Sequence, residues 1–237
     1  MFHGDGAGKK GRRTVIYLIL INVILAFIPS LILVVYFYSK DSQKREPPAL
    51  ILKTFLLGFA AVIPAALIEI FLSPFFQGST RLTNSLFRAF LIAGVVEEGI
   101  KLSVIRIFIY NRKEFDEVTD GIVYTITASL GFAFFENLFY SFGALSVLII
   151  RGLTAVPLHA AASGIMGYFI GKSKFQGNGS IMAGFILAVT IHGLYDFLLF
   201  YGGMTSFLVI LLLAAAGIVL LKLYKRALIE DRYFGRS

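Results

Sequence analysis

Glu97 and Glu98 stand side by side inside an apolar run that covers residues 84–110, and Lys101 follows them on the same stretch. Three later apolar runs are interrupted in the same way: by Glu136 and Asn137, by His159 after Pro157, and by His192 with Asp196 beyond it. An ionised side chain at the centre of a bilayer costs about 2.5 to 17 kcal/mol depending on the scale, so such groups face a protein interior or a wet cavity. Two kinds of chemistry suit this set. His159, His192 and Glu136 could hold a divalent metal such as Zn2+ in an open site, with Glu97 or Glu98 as general base for water. Without a metal, a glutamate in a low-dielectric site deprotonates water itself, while histidine and Asn137 stabilise the oxyanion. Either route hydrolyses a peptide bond inside the membrane, and the sequence leaves both open.

Spacing within each run places these groups on shared helix faces. Glu97 and Lys101 are i,i+4 and Glu98 and Lys101 are i,i+3, so one lysine partly neutralises both carboxylates. His192 and Asp196 are also i,i+4, which lets Asp196 orient the imidazole and fix its tautomer. Pro157 frees a backbone carbonyl and is expected to bend its helix around a cavity. Ala160, Gly164, Gly167 and Gly171 form a small-residue stripe that invites close approach of another helix.

The elements that carry these residues follow from composition. The chain has 237 residues, 57% hydrophobic and 15% charged, with a mean hydropathy of +0.82. A soluble domain would be about 25% charged, so this is an integral membrane protein. Apolar runs of about twenty residues argue helices over barrel strands, and thus an all-α polytopic bundle. The absence of cysteine excludes disulfides, thiolate metal sites and a cysteine nucleophile. The net charge of +8 sits in short loops, which speaks for membrane topology and against nucleic acid as a partner.

About seven spans are expected, over residues 14–38, 50–72, 84–110, 120–141, from a tight turn at 142–144 to about 171, 180–200, and 205–224. Residues 1–13 read as a basic disordered tail, 14–226 as one transmembrane domain, and 227–237 as a polar tail. The weight of positive charge puts the C-terminus on the cytoplasmic side of a cell membrane. Measured from that side, Glu97, Glu136, His159 and His192 lie about 18–24 Å up, at a common level suited to an intramembrane polar cavity. Lys53, Glu69, Arg88, Arg106 and Arg151 are expected to snorkel outward, and Phe132, Phe134 and Phe135 to face lipid or pack in the core.

Four motifs in chain order, Glu97-Glu98-x-x-Lys101, Phe132-x-x-x-Glu136-Asn137, Arg151…Pro157-x-His159 and His192-x-x-x-Asp196, resemble those of the PrsW intramembrane proteases. That family is related to the type II CAAX prenyl endopeptidases and to bacteriocin-processing membrane proteases. The resemblance covers residues 86–199 and leaves the first two spans and the last without a signature. It implies a multi-pass protease that cuts single-pass regulatory membrane proteins such as anti-sigma factors. By position, Glu97 and Glu98 would activate water, with Glu136, His159 and His192 as the other active-site groups. Glu136 stands where the CAAX enzymes have histidine, which argues against a prenylated substrate. The competing reading is a proton-coupled transporter or channel with these residues as a relay, for which the expected inverted repeats are not evident.

Overall fold

A computed structural model describes residues 5–40, 44–141, 144–177 and 179–234, so most of the turn expected at 142–144 lies outside the described residues. Among these residues every regular element is helical. The helices are α1 (Asp5–Lys40), α2 (Pro48–Leu72), α3 (Arg81–Leu86), α4 (Val95–Val104), α5 (Val118–Tyr140), α6 (Leu145–Leu153), α7 (Ala155–Gln176), α8 (Ile181–Tyr201) and α9 (Leu208–Phe234). Six stretches are long and apolar enough to cross a membrane, α6 and α7 together making one of them. The run carrying the glutamate pair, expected as a span of its own, is not one of the six. It is helical throughout 81–109, with π-helical turns at Phe87–Gly94 and Ile105–Ile109 on either side of α4. Wide turns of this kind recur at functional sites.

α5 is the axis of the bundle. It is buried on nearly all sides, and the residues that let neighbours reach it are small. A Cβ on Gly121 would lie 2.4 Å from the Gly167 carbonyl oxygen, and one on Gly58 only 1.8 Å from that of Ala128. In lipid no hydrophobic force drives helices together, so this backbone-to-backbone contact supplies the packing that holds α7 and α2 against α5.

Helix reaches into both tail segments. Residues 5–13 are helical and continuous with the first span, since lysine and arginine are good helix formers and no proline intervenes. α9 likewise continues past residue 226 to Phe234, because its last turns have tertiary partners. Asp231 accepts from the Val118 N–H at 2.7 Å, the Thr119 N–H at 2.9 Å and the Thr119 hydroxyl at 2.5 Å, capping α5 from another helix. Glu230 accepts from the Tyr168 hydroxyl at 3.1 Å and pairs with Arg226 at 2.9 Å.

The expected effect of Pro157 appears as a break instead of a bend. The backbone leaves helical geometry at Thr154, where α6 ends and α7 begins. Proline has no N–H for the carbonyl four residues back, at Leu153, and placed in the first turn of α7 that loss costs nothing further. The break sets His159 one turn inside α7.

Candidate active site

α4 turns Glu97, Glu98 and Lys101 toward α7 and α8, and all three are buried. The Lys101 ammonium donates to Glu98 Oε1 at 2.9 Å, to Glu97 Oε2 at 3.1 Å and to His159 Nδ1 at 2.9 Å. It also lies 4.3 Å from the centre of the Phe132 ring, so Phe132 is core and not lipid-facing. An ammonium only donates, so His159 Nδ1 accepts, and its Nε2 carries the proton that goes to Glu136 Oε2, 2.9 Å away. His192 Nδ1 lies 2.9 Å from Glu98 Oε1, while its Nε2 is 3.3 Å from Asp196 Oδ2 and 3.8 Å from Glu97 Oε2. The Ser163 hydroxyl completes the shell of Glu98, donating to Oε2 at 2.9 Å. The two imidazoles are 5.0 Å apart, centre to centre.

The adjacent glutamates thus sit in different surroundings. Glu98 is fully enclosed and all its contacts are to fixed donors. Glu97 lines a cavity of about 240 Å3 between α2 and α5 that also exposes Glu69, Glu136, Phe132 and Tyr140. Phe139 and Tyr140, 63% and 44% exposed, stand at its rim. The structure therefore brings Glu97, Glu98, Glu136, His159, His192, Lys101 and Asp196 into one cluster.

Two residues expected to snorkel belong to it as well. Arg151 turns inward, 3.4 Å from Glu136 and with its Nε donating to Asn137 Oδ1 at 3.0 Å, its guanidinium over the Tyr140 ring. Burying the carboxylate of Glu136 requires that cation, which outweighs the pull of the interface. Glu69 lines the cavity because Val62, Ala65 and Glu69 share one face of α2, and Val62 and Ala65 are themselves buried. That i, i+3, i+7 spacing was the available signal. Asn137 has no partner on Nδ2 among the described residues, so its amide retains a free donor.

Three side chains could hold a metal ion: donor atoms of Glu97, His159 and His192 all lie within 4.8 Å of one another. This trio has Glu97 where the sequence suggested Glu136, which instead supports His159 from behind. A carboxylate and two imidazoles, each imidazole backed by a glutamate, suit a divalent cation. The Lys101 ammonium, seated among Glu97, Glu98 and His159, shows that this pocket already accommodates positive charge. An ion on His159 Nδ1 would require that ammonium to withdraw from it.

Residues 46–221 match the family model described as PrsW family intramembrane metalloprotease. The match takes in α2 and the first half of α9, which carry no signature readable by eye. The chain is 39% identical over 175 residues to the Protease PrsW of Geobacillus kaustophilus (strain HTA426), covering 72% of this chain and 76% of that protein. It is 36% identical over 188 residues to the Protease PrsW of Clostridioides difficile (strain 630), with 74% and 78% covered. The Protease PrsW of Bacillus subtilis (strain 168) is 36% identical over 176 residues, with 72% and 79% covered. No solved structure matches the chain significantly. With its multi-pass helical body, its buried carboxylate and imidazole cluster and these relatives, the chain belongs to the PrsW family of membrane-embedded proteases.

Proposed function

We propose that this protease cleaves a peptide bond of a single-pass membrane protein, of the anti-sigma-factor type that the family resemblance implies, with its C-terminus on the cytoplasmic side. The observation that carries the proposal is the cavity between α2 and α5, with exposed Phe139 and Tyr140 at its rim, Glu97 on its wall and donor atoms of both histidines within 4.8 Å of Glu97. A transmembrane segment unwound at that rim presents its backbone directly to the cluster. A relay for protons needs no such side opening, and the relatives are proteases, so the transporter reading is set aside.

Glu97, His159 and His192 are the residues that would hold a divalent ion. When bound, such an ion supplies Lewis acidity that polarises the scissile carbonyl and acidifies water. Glu98 accepts from His192 Nδ1 and fixes that ring so that Nε2 is turned toward Glu97. Glu69 lines the cavity and forms no ion pair among the described residues, which leaves it available to take the proton that water gives up on attacking the carbonyl. The same proton then goes to the leaving amine as the C–N bond breaks. Asn137 keeps a donor free for the developing oxyanion.

The test is cleavage of a single-pass substrate by the purified protein in lipid nanodiscs, with fragments identified by mass spectrometry. Glu97→Gln and His192→Ala are expected to bring cleavage to background, and Glu69→Gln to lower it about 10²- to 10⁴-fold. Wild-type rates for both Glu97→Gln and His192→Ala overturn the assignment. Removal of metal, verified by elemental analysis, is expected to abolish cleavage and zinc to restore it. Full activity after verified removal would instead leave Glu97 as the base of a metal-free glutamic protease.

A further inference from the structure

At the far end of the bundle from the α9 cap on α5, we infer a binding site for the phosphate of an anionic lipid headgroup. A cavity of about 660 Å3 opens where the loop after α2 meets α3, and its polar walls are Ser73, Gln77, Thr80, Arg81, Asn84 and Arg88. No Asp or Glu lines it. The Gly78 N–H donates to Asn84 Oδ1, at 3.4 Å, so what that side chain has left to offer is its NH2 group. The walls are therefore rich in donors and hold two permanent positive charges.

Those charges are held without being neutralised. The Arg81 guanidinium lies 5.5 Å from the Tyr201 ring centre and that of Arg88 5.1 Å from the Phe200 ring centre, and neither has a carboxylate within ion-pair distance among the described residues. A ring face steadies a guanidinium and leaves its N–H edge free, which is the edge that binds a phosphate bidentately. The backbone is shaped to allow this. Gly202 has φ +69°, and a Cβ there would come within 3.0 Å of an Arg81 terminal nitrogen.

Inorganic phosphate and a phospholipid headgroup share this chemistry, and the surroundings favour the lipid. Leu82, Phe75, Met204 and Phe207 are exposed apolar side chains at the same end of the molecule, where acyl chains would run beside a headgroup bound by the arginines. The site lies away from the proteolytic cluster and does not depend on its chemistry.

The test uses the delipidated full chain reconstituted in phosphatidylcholine nanodiscs with increasing phosphatidylglycerol, bound lipid being counted by native mass spectrometry. Wild type is expected to retain phosphatidylglycerol with about 30-fold higher affinity than Arg81→Gln/Arg88→Gln. Lys222→Gln/Lys225→Gln, at the opposite end, should bind as wild type does. Should the double glutamine variant lose helicity, Arg81→Lys/Arg88→Lys keeps the charge and removes the bidentate fork, and an intermediate affinity is expected. Equal retention by the arginine variants, or equal loss in the lysine variant, overturns the site. Displacement of the lipid by inorganic phosphate at matched concentration overturns the lipid as its ligand.

Discussion

Two buried carboxylates in this protein, Asp231 and Glu98, have opposite kinds of company. Asp231, 6% exposed, takes two backbone N–H groups and a threonine hydroxyl at the start of α5. Glu98, fully buried, takes an ammonium, an imidazole and a serine hydroxyl. Around Asp231 no partner can gain or lose a proton at any pH the protein meets, so that carboxylate stabilises helix ends and does nothing else. Around Glu98 two of three partners are ionisable, and each of them is shared with another carboxylate. Such a network is costly to bury and is kept where protons or cations must be handled. The partners of a buried acid, more than its burial, separate scaffold from chemistry.

The comparison can be broken most directly through activity. Glu98→Gln is expected to reduce cleavage at least about 100-fold while leaving helical content unchanged, because the amide cannot hold both Lys101 and His192 in place. Asp231→Asn should cleave at the wild-type rate per folded molecule. A loss of activity in Asp231→Asn equal to that of Glu98→Gln would erase the distinction.

Stability gives the next largest effects. Lys101→Met leaves Glu97 and Glu98 buried without their shared cation and is expected to cost about 3–5 kcal/mol in a denaturant titration in detergent micelles. Asp231→Asn replaces an acceptor by an amide donor facing N–H groups and should cost about 1–3 kcal/mol in the same measurement. If the order of these two were reversed, the helix cap and not the charge cluster would be the more demanding structure.

The smallest effect is expected in the loop before α2. Lys44 pairs with Asp116 at the exposed end of the bundle, and the hydrogen bond and charge of Asp116 raise its ammonium above the ordinary 10.5. A raised lysine contributes stability in full below 10.5 and loses it as pH climbs through the folded value. Lys44→Gln should therefore lower stability only slightly at pH 7, because an exposed pair is screened by salt, and should remove an equally slight decline above pH 10.5. A clear loss at pH 7 would place this pair with the buried ones.

Much of the cluster was legible because helical periodicity fixes it locally. Lys101 had to meet Glu97 and Glu98, and Asp196 had to meet His192, once their runs were helices; the contacts of 2.9–3.3 Å are those pairings. Arg151 and Glu69 were read as snorkelling because, within their own helices, the interface is the nearest relief for a charge. Only a neighbouring helix offers a better one: Glu136 for Arg151, and the shared cavity for Glu69. The length of α9 escaped for the same reason, since its polar last turns are held by partners distant in sequence.

The sequence by itself determined that the chain crosses a membrane as helices, that each ionisable group shares a helix face with its near neighbours, and which family it joins. Composition and a 3.6-residue period are enough for the first two, and the family follows from the resemblance of the four motifs. Tertiary structure alone decided that Glu97 faces a cavity while Glu98 is sealed, that Glu97 and not Glu136 comes within 4.8 Å of both histidines, and that two arginines line an acid-free pocket. These depend on how the seams along α5 set the rotation and depth of each helix, and adjacent residues about 100° apart on one helix then meet entirely different neighbours.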